Sequence, residues 1–289
     1  MSLAYLNGEF LPLAAARVPV LDRGFLFGDG VYEVIPAYGG HPFRLDHHLE
    51  RLAGSLAGIR MRPPLTAAEW QAIFRRLLQD HAGEDRSIYL QITRGVGERR
   101  DHGYDDRLVP TVFAMTSPIH PPDPALGKTG VRAITRHDIR WARCDIKAIT
   151  LLANLLLRQE ALDAGAAEAI LLRDGLATEG AASNLFVVRE GVLLTPPKGP
   201  RLLPGITRDL VLELAVANDL PCREEDITES ALRQADEIWI TSSTREILPV
   251  TELDGVIVGD GRPGPLYHRL HGLYQDYKRR WVAAQPAAS

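Results

Sequence analysis

The 289-residue chain has only two cysteines, Cys144 and Cys222, with no CxxC spacing and no Cys/His cluster. A disulfide framework and a thiolate metal site are thereby excluded, no metal is expected, and a reducing, cytoplasmic setting is the default expectation. No apolar run approaches the roughly 18 residues of a membrane-spanning helix. The opening MSLAYLNGEF lacks a basic stretch and a long apolar core, so no secretory signal is expected. Excess positive charge is missing as well: 33 Lys and Arg face 37 Asp and Glu, a formal net charge of -4. That balance argues against a nucleic-acid or anionic-membrane partner, which usually requires a basic surface. Repeats and low-complexity tracts are absent. The most informative scarcity is lysine. Only Lys128, Lys147, Lys198 and Lys278 occur among the 33 basic residues, and Lys147 alone lies between an apolar run and an acidic glycine-containing loop.

What is present is ordinary globular composition, 45% hydrophobic and 24% charged, in a chain long enough for one large or two medium domains. Asn7-Gly8 between Ala4–Leu6 and Phe10–Leu13 predicts a hairpin, because both turn positions favour residues that tolerate positive φ. Val31–Tyr38 and Pro42–Leu45 read as a second strand pair around Gly39-Gly40. Asp46 is the expected N-cap of a helix carrying Leu49, Leu52 and Leu56 on one face. Thr66 and Glu69 form a capping box for the next helix. Ile88–Arg94 and Thr111–Met115 read as strands.

The proline-rich segment SPIHPPDPALG predicts a linker, giving expected domains at 1–117 and 128–289 with residues 118–127 joining them. Beyond it, Val131–His137, Glu168–Leu172, Asn184–Arg189 and Glu237–Thr241 read as strands. Helices are predicted over Leu151–Asp163, from Thr207 onward, and over Pro265–Val282. Strands and helices mixed on both sides of one linker give an α/β (α+β) class with two domains, and a small ligand is expected between them.

Lys147 carries the first chemical signal. An amine that attacks a carbonyl must spend time neutral, so it needs a partly dry site that pulls it below the usual value of about 10.4. Downstream, TEGAASNLF brings Glu179. Leu203-Pro204-Gly205-Ile206-Thr207-Arg208 sets a glycine before a helix start, where free N–H groups of Ile206 and Thr207 form an anion site. The hydroxyls of Thr241-Ser242-Ser243-Thr244 and the guanidinium of Arg51 in HHLER add donors suited to a phosphate. Trp141 and Cys144, near the lysine, are read as packing residues.

With DRGFLFGDGVYE around Tyr32, these motifs resemble, in order and over about residues 1–280, the fold-type IV pyridoxal phosphate enzymes. That family holds D-amino acid and branched-chain aminotransferases, aminodeoxychorismate lyases and (R)-amine aminotransferases. The resemblance implies a smaller N-terminal α/β domain and a larger C-terminal domain with a mixed sheet or pseudo-barrel, the cofactor lying between them. It implies that Lys147 joins the cofactor aldehyde and then shuttles a proton between substrate Cα and cofactor C4′. Glu179 would face the pyridine nitrogen, and Leu203 would pack on the ring. Arg51, Ile206, Thr207, Ser242 and Ser243 would hold the phosphate, and Tyr32 would stand at the mouth of the site.

The loop TRGVGERRDHGY bears on the substrate. Arg100-Asp101-His102 resembles the Arg-x-His pair with which bacterial D-amino acid aminotransferases bind the substrate carboxylate in a neighbouring subunit's site. The loop is one residue longer than that pattern, so Arg99 stands as the alternative to Arg100. Ala181-Ala182 replaces the usual serines after Glu-Gly, and the Ser-Asn-Leu-Phe run also resembles the lyase branch. The expected reaction moves an amino group between D-amino acids (D-alanine, D-glutamate) and 2-oxo acids (pyruvate, 2-oxoglutarate). A homodimer is implied, its 95–104 loop reaching the neighbouring site.

Overall fold

The computed structural model describes residues 2–81, 83–120 and 123–286. The chain forms two compact units, one of Met1–His120, Ile146–Leu151 and Ala284–Ser289, the other of Pro121–Asp145 and Leu152–Ala283. Pro121 and Pro122, inside the expected linker, lie outside the described residues.

The first unit contains strands β1 (Leu3–Leu6), β2 (Glu9–Pro12), β3 (Gly30–Tyr38), β4 (His41–Pro42), β5 (Arg86–Thr93) and β6 (Thr111–Pro118). They form one sheet in the order β2-β1-β6-β5-β3-β4, with each neighbouring pair antiparallel. Helices α1 (Arg23–Phe27), α2 (Leu45–Gly58) and α3 (Ala67–Leu78) complete it. The Asn7-Gly8 hairpin is present, with Asn7 at φ 49 and Gly8 at φ 99. The capping box forms as read: Thr66 accepts from the Glu69 N–H, and Glu69 accepts from the Thr66 N–H.

Two of the departures from the sequence expectation have a local cause. The second strand pair is short, ending at Pro42, because Phe43 turns inward, donating its N–H to Pro36 and packing edge-on against Tyr38. Asp46 is not the cap of α2. Arg44, in the left-handed region at φ 52, turns the chain into the helix, and Asp46 lies in the first turn, where its charge complements the helix dipole.

The second unit contains β7 (Val131–His137), β8 (Glu168–Arg173), β9 (Leu176–Gly180), β10 (Asn184–Arg189), β11 (Val192–Thr195), β12 (Cys222–Glu224), β13 (Ile227–Thr228), β14 (Glu237–Ser242), β15 (Glu246–Leu253) and β16 (Val256–Ile257). Their mixed sheet runs β12-β11-β10-β14-β15-β7-β8-β9-β13, with β16 on β15. Its helices are α4 (Leu126–Thr129), α5 (Leu152–Asp163), α6 (Ile206–Ala217), α7 (Glu229–Arg233) and α8 (Pro265–Ala283).

One excursion matters most. Residues Ile146–Leu151 leave the second half of the sequence and join the first unit. Ala148 forms a bridge with Val31, the Tyr32 N–H donates to the Lys147 carbonyl, and the Ile149 N–H donates to Gly30. Ile146 and Ala148 are buried in the first unit's core beside Val31, Ile35 and Ile92. Side chains alternate along extended chain, so Lys147, between two buried neighbours, is directed away from that core.

Candidate active site

Lys147 is half-buried, its Nζ 4.3 Å from the centroid of the Tyr32 ring. An ammonium against an aromatic face is attracted by roughly 0.5–2 kcal/mol, so Tyr32 gives the amine a fixed resting place. The segment's backbone is pinned too, the Lys147 N–H donating to Ser55 Oγ at 3.1 Å on α2. Tyr32 is held against Tyr89, ring centroids 5.8 Å apart. Burial pushes the Tyr89 phenol up to about 12, so it stays a neutral neighbour.

Arg51 lies in the same unit, paired in a fork with Glu33: Nε donates to Oε1 at 2.8 Å and Nη2 to Oε2 at 2.7 Å. Glu33 Oε2 also meets His48 Nδ1 at 2.8 Å. His48 and Arg51 stand three apart on α2, which places both over the inward-facing Glu33 of β3. Burial opposes ionisation of Glu33, but Arg51 and His48 prevail and hold it down at about 2. Burial also lowers His48, favouring the neutral ring.

The sign of the resulting pH dependence follows. A carboxyl held below its ordinary value of 4.5 stabilises the fold above that pH and loses the contribution as pH falls toward about 2. The amount is on the order of 3 kcal/mol. Glu33→Gln is therefore expected to lower unfolding free energy at pH 7 by about that much, the gap narrowing in acid. Urea titrations at pH 7 and pH 3 measure it, and an equal gap at both values contradicts the pairing.

Glu179 belongs to the second unit, at the end of β9 and 4% exposed. One oxygen accepts from Asn184 Nδ2 at 3.0 Å, the Leu203 N–H lies 3.1 and 3.2 Å from the two oxygens, and Arg140 Nη1 pairs with the other oxygen. Arg140 is itself anchored by Asp138, Nε to Oδ1 at 2.9 Å and Nη2 to Oδ2 at 2.9 Å. Burial pushes Glu179 up to about 7, while Arg140 and the Leu203 N–H pull it down. The carboxyl thus sits at the edge of ionisation at neutral pH. A protonated ring nitrogen at hydrogen-bond distance would hold it charged.

Close by, Gly205 is the N-cap of α6, and no side chain caps that helix. A Cβ on Gly205 would lie 1.8 Å from Asn184 Oδ1, so only glycine brings the helix start this near the Glu179–Asn184 pair. Ile206 and Thr207 are both buried in the first turn. Across the β10–β14 pairing from Asn184, Thr241 Oγ1 is buried without a hydrogen-bond partner. Ser242 Oγ accepts from the Arg245 N–H at 3.3 Å, and Ser243 follows in the turn, half-buried. An uncapped helix start and an orphaned hydroxyl beside a buried, unusually basic carboxyl fit the phosphate and ring nitrogen of pyridoxal phosphate.

Arg100 and His102 stand together in the first unit. The guanidinium of Arg100 lies 5.2 Å from the Phe27 ring centroid, and the His102 ring is 5.4 Å from the same ring. Arg99 turns elsewhere, Nη2 pairing with Asp101 at 3.2 Å with its side chain 83% exposed. Arg99 is thus taken up by Asp101, while Arg100 and His102 meet the same Phe27 ring.

The sequence reading missed Glu33 and His48 behind Arg51, and Asp138 and Arg140 behind Glu179. The i, i+3 spacing of His48 and Arg51 was the available signal for the former. For Arg140, the dense charge of DIRWARCD was visible but its target was not. Trp141, expected to pack, is 48% exposed, whereas Cys144 is buried with its Sγ donating to the Trp141 carbonyl.

The family model described as amino-transferase class IV matches residues 30–253. D-alanine aminotransferase of Bacillus licheniformis is 45% identical over 270 residues, 93% of this chain and 95% of that protein. D-alanine aminotransferase of Staphylococcus epidermidis is 38% identical over 277 residues, 96% of this chain and 98% of that protein. Among solved structures, the branched-chain amino acid aminotransferase of Escherichia coli superposes with a TM-score of 0.85 at 30% identity, covering 95% and 93% of the two chains.

Proposed function

The chain belongs to the class IV aminotransferases, and from that premise we propose a pyridoxal phosphate-dependent enzyme that exchanges amino groups between D-amino acids and 2-oxo acids. D-alanine, D-glutamate, pyruvate and 2-oxoglutarate are the substrates in this reading. The observation that carries it is the pairing of Arg100 and His102 on Phe27, a guanidinium and an imidazole set side by side as a carboxylate would need. The similarity to D-alanine aminotransferases over nearly the whole chain supports it, exceeding the identity to the branched-chain enzyme.

When bound, the cofactor supplies an electron sink for the substrate's Cα carbanion. Lys147 Nζ would take the proton from substrate Cα and give it up to the cofactor carbon that bears the amino group, moving away from and back to the Tyr32 face. Glu179 would keep the ring nitrogen protonated, with Arg140 and Asn184 fixing the carboxylate. Ile206, Thr207, Ser242, Ser243 and Arg51 would hold the phosphate, Glu33 orienting the last of these. Leu203 packs on the ring, and Tyr32 borders the substrate. Arg100 and His102 take the substrate carboxylate.

A homodimer, with the 95–104 loop serving a neighbouring site, completes the reading. In its support, Leu152, Leu155 and Leu156 of α5 are 71%, 62% and 52% exposed, an apolar helix surface suited to burial against a second copy. A cytoplasmic location, in keeping with the two free cysteines, is part of the reading; among the described residues no helix is long and apolar enough to cross a membrane.

Titration of the cofactor's visible absorption tests the assignment. D-alanine is expected to convert the spectrum, and 2-oxoglutarate to restore it. A response to L-leucine instead selects the branched-chain reaction, a response to (R)-1-phenylethylamine selects the amine reaction, and no response to D-alanine leaves the lyase.

A further inference from the structure

Within the loop that carries Arg100 and His102 the contacts are short-range and exposed: Asp101 accepts from the Gly103 N–H and pairs with Arg99, and Asp105 pairs with Arg107. Residues 98–107 are exposed, and His102 and Tyr104 carry the only rings among them. Fixing exposed backbone costs about 1–2 kcal/mol per residue, so an ordered loop here needs an external anchor. One buried side chain provides it. Arg23, the first residue of α1 and 6% exposed, directs Nη1 at the carbonyls of Asp101 (2.7 Å) and Gly103 (3.0 Å) and Nη2 at that of His102 (3.0 Å). Its Nε donates to Asp29 Oδ2 at 2.8 Å, an oxygen that also accepts from Arg94 Nε at 2.8 Å. Arg94 in turn covers the Tyr104 ring at 3.8 Å.

The position of Arg23 is equally determined. Asp22, fully buried, caps α1 by accepting from the Gly24 N–H and takes the hydroxyls of Thr93 and Thr111 on β5 and β6. The left-handed Gly28 ends the helix after one turn, leaving Phe27 on it beside Arg23, whose guanidinium is 4.9 Å from the ring centroid. Phe27 is the ring on which Arg100 and His102 both rest. A single helical turn therefore holds the loop's backbone through Arg23 and its two functional side chains through Phe27.

We infer that Arg23 and Phe27 are positioning residues for the substrate carboxylate, setting the register that presents Arg100 and His102 rather than Arg99. The inference rests on the reading of Arg100 and His102 as the carboxylate-binding pair. Three consecutive carbonyls converging on one planar fork fix the backbone before substrate arrives, which is preorganisation of the binding group. Lysine cannot substitute. Its single ammonium has three donors and no fork to span Asp29 and three carbonyls at once. The groups facing the Arg23 guanidinium are Asp29, the three carbonyls and the rings of Phe27 and Tyr104, with Arg94 on the far side of the shared Asp29 oxygen.

The test uses the cofactor-loaded enzyme with Arg23→Lys and Phe27→Leu, each compared with Arg100→Ala and with the Arg23→Lys/Arg100→Ala double variant. Arg23→Lys is expected to raise KM for D-alanine and 2-oxoglutarate together by about tenfold or more, with kcat and the visible spectrum held. Amide hydrogen exchange at residues 101–104 should accelerate, and the double variant should be little worse than Arg100→Ala. Should Arg23→Lys fail to fold, Phe27→Leu, which leaves the buried charges intact, is expected to raise the same two KM values. A folded Arg23→Lys with unchanged KM, or with kcat falling in place of KM, overturns the inference. If Arg100→Ala itself leaves both KM values unchanged, the carboxylate reading fails instead.

Discussion

Lys147→Ala is expected to lose transamination by at least roughly four orders of magnitude, the combined effect of removing the covalent attachment and the proton carrier. No other lysine stands in its place. Lys198 pairs with Asp209 at 2.8 Å and Lys278 with Glu246 at 2.6 Å, while Lys128 lies in the short helix α4. Ile146 and Ala148 keep the backbone seated in the first unit's core whatever residue lies between them, so the variant should retain its fold. Single-turnover measurement with D-alanine, together with thermal melting, separates lost chemistry from lost structure. A stable variant turning over at near-normal rate removes Lys147 from the mechanism.

Arg100→Ala is the second large effect. If the substrate carboxylate is desolvated between Arg100 and His102, truncation should weaken binding by roughly 2–5 kcal/mol. Amino donor and oxo-acid acceptor share that carboxylate, so KM for D-alanine and 2-oxoglutarate should rise together. Arg99→Ala should change neither, because Arg99 faces solvent and Asp101 rather than Phe27. Steady-state kinetics of the two alanine variants, run side by side, decide the register. A rise confined to Arg99→Ala reverses the assignment.

The legible parts of this chain were local. The Asn-Gly hairpin, the Thr66–Glu69 box, the glycine before α6 and most strand cores depend on neighbours within a few residues, and those signals are written in order along the chain. Lys147, Glu179 and the helix start at Ile206 stood out for the same reason. What lay beyond reach depends on distant pairings. Nothing in RCDIKAITLL indicates that its centre crosses to β3, because Ile146 and Ala148 would suit any apolar surface equally well. The same holds for buried charge. Arg140 meets Glu179 across 39 positions and Arg23 meets Asp101 across 78, so composition alone leaves each as one arginine among many. Asp46 shows how a local rule gives way: a left-handed residue two positions earlier started the helix and left the better capping side chain inside it.

Helix α5 adds a case in which the pattern leaves the partner open. The leucines of α5 resemble a core face by periodicity, yet Leu152, Leu155 and Leu156 are open to solvent. Periodicity reports that an apolar face will be covered, not by which chain, and a face covered by a second copy has the same pattern as one covered within the fold.

The most direct test of the central claim is borohydride reduction of the cofactor-loaded protein, followed by digestion and mass mapping of the modified peptide. The account predicts a single phosphopyridoxyl group, carried on Lys147. The label on Lys128, Lys198 or Lys278, or no label while the bound cofactor's absorption persists, would contradict it.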